Sequence, residues 1–164
     1  MSVNTPEDLP PTLQALHTRP LFTLEVEVDP PKTPGGHEGA ERRVGVIPGG
    51  VFRGERLSGR VLGGGSDWQT LYSQGVVQLD ARIVLETDAG ELVAMTYNGL
   101  RHGPAEIMAS LGRGEPVDPA QYYFRIFATF ATSAPRLEWL NRILAVGIGH
   151  RRADGPIYNL FEVL

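Results

Sequence analysis

The chain has 164 residues, no cysteine, and 15 basic against 19 acidic side chains, a net charge of −4. One domain of this length buries about two-thirds of its unfolded surface. Disulfides and thiolate chemistry are excluded, and without a basic block, binding to nucleic acid or an anionic membrane has no electrostatic support.

No apolar run approaches the roughly 20 residues that span a bilayer, and the N-terminus lacks a charged-then-apolar signal pattern. A cytoplasmic protein is the expectation. The 20 glycines and 13 prolines predict many turns and little helix. Residues 1–20 hold four prolines and read as an N-terminal arm with a short helix over Thr12 to His17, ahead of a single domain over 21–164. Leu21 to Val28 alternates apolar and polar positions in its second half and predicts a strand. Asp29 to Arg43, with three prolines and three glycines, reads as a mobile loop.

Short strands follow at Val44 to Ile47 and Leu57 to Leu62, separated by Pro48-Gly49-Gly50 and an extended Val51 to Gly54. Gly63-Gly64-Gly65 then leads into a loop carrying Asp67 and Trp68, a candidate lid. Leu79 to Val93 predicts two strands joined at Asp88-Ala89-Gly90, continuing through Met95 to Gly99. Pro104 to Leu111 is the one convincing helix, stopped by Gly112. Tyr122 to Thr132 reads as a long aromatic strand. Pro135 to Asn141 forms a helical turn, and Arg142 to Ile148 and Ile157 to Val163 close the chain as strands. The fold class is therefore all-β, an antiparallel sandwich or barrel of about eight to ten strands with one or two short helices.

Several short motifs in order carry a resemblance. They are Leu57 to Trp68 (LSGRVLGGGSDW), Leu79 to Arg82 with Glu86 to Gly90, Tyr97 to Arg101 (YNGLR), Tyr122 to Arg125, and Trp139 to Arg142 before Gly147 to Gly149. Over roughly Leu21 to Leu164 the chain resembles the bacterial DUF3237 family, also labelled UPF0311, whose activities are largely unassigned. The resemblance implies a closed antiparallel β-barrel with a cavity. Some members are associated with aromatic-compound degradation or natural-product pathways, which implies small organic ligands. One departure is Phe130-Ala131-Thr132, where the family pattern has Phe-Glu-Thr. If that acid lines the cavity, a charged group is lost here.

Asp80 and Arg82 share one face of their strand, with Leu79, Ala81, Ile83 and Leu85 on the other. They line a polar pocket if the apolar face packs outward, and form a solvated salt bridge if it does not. Tyr123 and Arg125 share a face with Phe127 and Thr129, and suit a carboxylate or carbonyl on an aromatic ligand; the plainer alternative is an outward-facing strand. The expected catalytic residues are Asp80, Arg82 and Tyr123. Arg125, Trp139, Asn141, Trp68, Arg60 and His102 are expected to bind substrate. For Trp139 the ordinary alternative is core packing, and for His102 a place in a turn.

His17 and His37 fall in the arm and the loop, and no HxH or HExxH pattern occurs, so neither a metal nor a cofactor is expected. No Gly-x-Ser-x-Gly elbow is present, which argues against a serine hydrolase. The leading functional expectation is a cofactor-independent enzyme on a small aromatic or polyketide-like carbonyl compound. It would run acid/base chemistry of isomerase, cyclase or lyase type inside the barrel, with Asp80 as the acid or base. A non-catalytic barrel binding an aromatic or acidic ligand is the alternative, and an assembly module is the third. Self-association as a homo-oligomer is compatible with a small barrel.

Overall fold

A computed structural model describes residues 5–164. The strands are β1 (Thr18–Glu27), β2 (Lys32–His37), β3 (Ala40–Ile47), β4 (Gly49–Arg53), β5 (Ser58–Tyr72), β6 (Val77–Thr87), β7 (Leu92–His102), β8 (Tyr123–Ala131), β9 (Ala145–Arg152) and β10 (Gly155–Val163). All pairings are antiparallel, and β5, β4, β1, β10, β9, β8, β7 and β6 form a ring that closes through β5 against β6. The protein is a closed eight-stranded antiparallel β-barrel. A hairpin of β2 and β3 extends along the second half of β5, so β3 and β4 share that strand as partner on either side of Pro48.

Alternation decides which side chains go inside. On β6 the odd positions Leu79, Ala81, Ile83 and Leu85 are buried while Asp80, Arg82 and Val84 are exposed. On β8 the even positions Phe124, Ile126, Ala128 and Phe130 are buried, and Tyr123, Arg125 and Phe127 are exposed. The apolar faces therefore make the core, because a barrel of eight strands has an interior just wide enough for side chains to fill.

The two ends of the barrel are closed differently. Helix α1 (Ala105–Gly112) follows β7 and buries Leu111. A 3-10 helix over Pro135–Arg142 follows β8, which runs antiparallel to β7, and so covers the opposite end, where it buries Leu137 and Leu140. That second end is packed with apolar side chains, including Phe22 against Phe52 and Phe130 with ring centroids 5.4 and 6.2 Å apart. Among the described residues, its one buried carboxylate, Glu162, is clamped by the guanidinium of Arg56 and by that of Arg19 at 2.9 Å. Burial pushes the Glu162 carboxyl up, but the hydrogen bonds from Arg56 and Arg19 outweigh it and hold the group below its ordinary value.

Four expectations are corrected. Of the arm expected over 1–20, residues 1–4 lie outside the described residues; in place of a helix over Thr12 to His17 there are 3-10 turns at Pro6–Asp8 and Pro11–Leu13. The loop expected over Asp29 to Arg43 is instead the β2–β3 hairpin, whose turn uses Gly39 at φ +78°. The loop expected at Gly63 to Trp68 is the middle of β5, a single strand of 15 residues. Finally, Ala131 is exposed, so that position does not line the interior and no cavity charge is lost there.

Candidate functional site

The interior polar groups come from positions in phase with the apolar ones. On β7, Val93, Met95 and Tyr97 point inward, and the same parity carries Arg101 inside, 5% exposed. On β9 the inward series is Ala145, Gly147 and Gly149, followed by Arg151; Ile126 packs over Gly147 and the Phe124 ring over Gly149. Tyr158 of β10 lies opposite Gly149 and is fully buried.

Strand β5 bulges at its glycines. Leu62 pairs with Val84 and Ser66 with Arg82, so four steps along β5 match two along β6. Two extra residues leave the parity unchanged, and Asp67 points inward with Val61 and Gly59. Gly64 sits at φ +102°, a conformation a side chain would strain.

Asp67, Gln69, Arg43, Arg101, Arg151 and Tyr158 line a cavity of about 120 Å3, floored by Leu79 and Phe124 and covered by Leu111 and Gly112 of α1 together with Val28 and Pro31. Arg43 Nε donates to Gln69 Oε1 at 2.7 Å, and Gln69 Nε2 donates to Asp67 Oδ2 at 2.6 Å. The Arg101 guanidinium stands 5.2 Å from the centre of the Phe124 ring, and the backbone N–H of Arg151 donates to the Tyr122 hydroxyl at 2.8 Å. Three buried atoms of residues lining this cavity have no hydrogen-bond partner among the described residues: Asp67 Oδ1, Arg101 Nε and the Tyr158 hydroxyl. Buried polar atoms are nearly always paired, so three orphans around one cavity make it the candidate site. Glu162, satisfied by two arginines, shows the structural case at the other end.

Burial pushes the Asp67 carboxyl above its ordinary value, against the hydrogen bond from Gln69 and the charges of Arg101, Arg43 and Arg151. Burial, then the nearby charges of Arg43 and Arg151, bring the Arg101 guanidinium down to about 10. Burial likewise raises both phenols, Tyr97 and Tyr158, whose rings meet edge-on at 5.5 Å. The cavity thus brings together one carboxyl group that burial makes a stronger proton acceptor, the Tyr158 phenol and three guanidinium groups.

None of the nine residues singled out from the sequence lines this cavity. Asp80 and Arg82 are exposed on the outer face of β6, because the apolar face of that strand packs inward. Tyr123 is likewise outward, stacked on His102 at 4.9 Å, and Arg125 stands 5.0 Å from its ring while donating to the Phe124 carbonyl at 2.9 Å. Trp68, 48% exposed, faces out beside the inward Asp67. Arg60 pairs with Glu86 across the outer surface at 2.6 Å. Trp139 packs under the guanidinium of Arg56, 4.0 Å from its ring, and Asn141 ties down the 3-10 helix through both backbone groups of Thr132. Among the described residues, no group of His, Cys, Asp or Glu is arranged to hold a metal ion, and no helix is long and apolar enough to cross a membrane.

Tyr123 and Arg125 do border a larger hollow of about 790 Å3 on the outside of the barrel, with Leu100, Phe127 and Ile148. Its walls mix exposed, half-buried and buried side chains, and the one charged group in it, Arg125, is exposed. The smaller interior cavity, by contrast, holds the buried Asp67 and Arg101.

The model of a family described as a protein of unknown function, DUF3237, matches residues 16–163. The chain belongs to the DUF3237 family. A UPF0311 protein of Rhodopseudomonas palustris is 37% identical over 149 residues, covering 91% of this chain and 97% of that one. Its crystal structure superposes with a TM-score of 0.86. A β-barrel-like protein of Acinetobacter baumannii, 38% identical over 95% of this chain and 99% of its own, superposes with a TM-score of 0.81. At 17% identity, a protein of Penicillium herquei still shares the fold, with a TM-score of 0.69 over 91% of this chain and 95% of its own. The family relationship fixes the barrel and leaves the chemistry to be argued from the cavity.

Proposed function

We propose that this DUF3237 protein is a cofactor-independent enzyme that moves a proton on a small carbonyl compound, with Asp67 as the acid/base group. The observation that carries this reading is the buried, half-partnered Asp67 carboxylate facing a cavity shared with Arg101 and Tyr158. Gln69 holds one oxygen and leaves the other free to accept a proton. In the step envisaged, the proton on the carbon beside the carbonyl passes to Asp67 Oδ1. The electron pair of the C–H bond moves onto the carbonyl oxygen, where Arg101 and the Tyr158 hydroxyl meet the developing negative charge. Return of the proton to a second carbon gives an isomer, and departure of a group beta to the carbonyl gives a lyase product.

Size favours an enzyme over a carrier. Sites that enclose a whole ligand span about 300–1,000 Å3, whereas about 120 Å3 admits a reacting head group or a single ring. The distant fungal relative in fold is described as an enzyme, in keeping with this scaffold supporting catalysis in one instance.

The test is hydrogen exchange in D2O, followed by proton NMR on a panel of small aryl ketones and keto acids. Wild-type protein is expected to accelerate exchange beside the carbonyl, and Asp67→Asn to lose roughly 10²–10⁴ of that acceleration. Exchange unchanged by Asp67→Asn would remove Asp67 from the chemistry. Binding in the cavity with no exchange by wild type would favour the carrier.

A further inference from the structure

The charge balance of the cavity says more about its ligand than its shape does. Arg43, Arg101 and Arg151 line it against a single carboxylate, Asp67, leaving two positive charges in excess inside a chain whose net charge is −4. General basicity of the protein does not account for this. Nor does internal pairing. Among the described residues, none of the three guanidinium groups lies within 4.0 Å of a carboxylate, and every ion pair belongs to other arginines. Arg43 spends its Nε on an amide, Arg151 donates to the carbonyl of Arg152, and Arg101 is buried with its Nε unpartnered. A buried guanidinium without a counter-charge is unfavourable, and three around one small space repel one another, so the arrangement is complete only when an anion enters.

Resting on the acid/base reading above, we infer that the molecule handled in this cavity carries a carboxylate, held chiefly by Arg101 with Arg43 and Arg151 completing the positive wall. Guanidinium presents two parallel N–H donors that match a carboxylate, and a neutral amide or ketone of the same shape offers no charge to offset the wall. The sign of Asp67 adds a second expectation. Its charge opposes an incoming anion, so removing it should tighten carboxylate binding while ending proton transfer.

The experiment titrates the full chain with two matched pairs, acetate against acetamide and benzoate against benzamide. Calorimetry gives the affinity, and backbone NMR shifts give the place. The expected result is that at least one acid binds tenfold or more tightly than its amide, with shifts at Asp67, Arg101 and Tyr158. Arg101→Gln should lose at least tenfold in that acid's affinity, with Arg43→Gln as the second variant should the first fail to fold. Asp67→Asn should bind the acid severalfold more tightly.

Equal affinity for acid and amide in both pairs overturns the inference. So does acid binding unaffected by the arginine variants, or shifts confined to Leu100, Phe127 and Ile148 on the outer face. Each of these leaves the acid/base reading standing if Asp67→Asn still stops exchange on a neutral ketone. Conversely, acids that bind at the arginines of a protein catalysing no exchange uphold the inference and remove the enzyme.

Discussion

Asp67, 3% exposed, has one oxygen bonded to Gln69 and the other unpartnered, and both facts bear on stability as well as chemistry. Because burial raises its pKa, the folded protein holds that proton more tightly than the unfolded chain does. Stability attributable to this group is therefore greatest below the ordinary carboxylate range, and it falls as pH rises from there through the folded-state value. Asp67→Asn removes the ionisation. Thermal melting across a pH series should find the variant more stable than wild type at pH 8, with the gap closing toward pH 4. A variant less stable than wild type at pH 8 would contradict the assignment. Loss of stability from a retained buried carboxylate is the trade-off expected if Asp67 serves as proposed.

At the level of elements, much of the barrel is legible in alternation. Leu79 to Leu85 reads as a strand and lies within β6, the strand expected over Tyr122 to Thr132 is β8 within a residue at each end, and the helix at Pro104 to Leu111 is α1 within a residue at each end. The site was hidden by the same signal. Asp80 and Arg82 attract notice as charges, yet the apolar face opposite them is the one a filled barrel needs inside. Arg101 sits in phase with Val93, Met95 and Tyr97, so extending the buried parity of its own strand finds it, where looking for charged faces does not. Asp67 was lost differently, because three glycines read as a turn where β5 bulges and runs on.

The fit between β8 and β9 shows how closely inward positions are matched. A Cβ at Gly149 would stand 2.7 Å from the Phe124 ring, so Gly149→Ala should cost about 1–3 kcal/mol by overpacking. Chemical denaturation checks this, and adding Phe124→Leu should restore part of the loss. A double variant no better than the single would place the strain elsewhere.

Across the whole molecule, the two ends of the barrel divide the work. The end under the 3-10 helix is apolar and holds a satisfied Glu162, while the end under α1 carries unpaired charge. Leu140, fully buried at the first end, should cost about 2–5 kcal/mol when cut to alanine. Arg101→Met at the second end should be neutral or stabilising, since an apolar group of similar length replaces a buried unpaired charge. Melting curves of the two variants at neutral pH compare the ends directly, and a large loss for Arg101→Met would show that end to be structural. The bulge in β5 sets a rule of its own on this plan. With two residues inserted, Asp67 faces in and Trp68 out; with one or three, every side chain from there to Tyr72 would change sides. Descendants of this chain can lengthen or shorten that glycine stretch only in steps of two and still keep the carboxylate indoors.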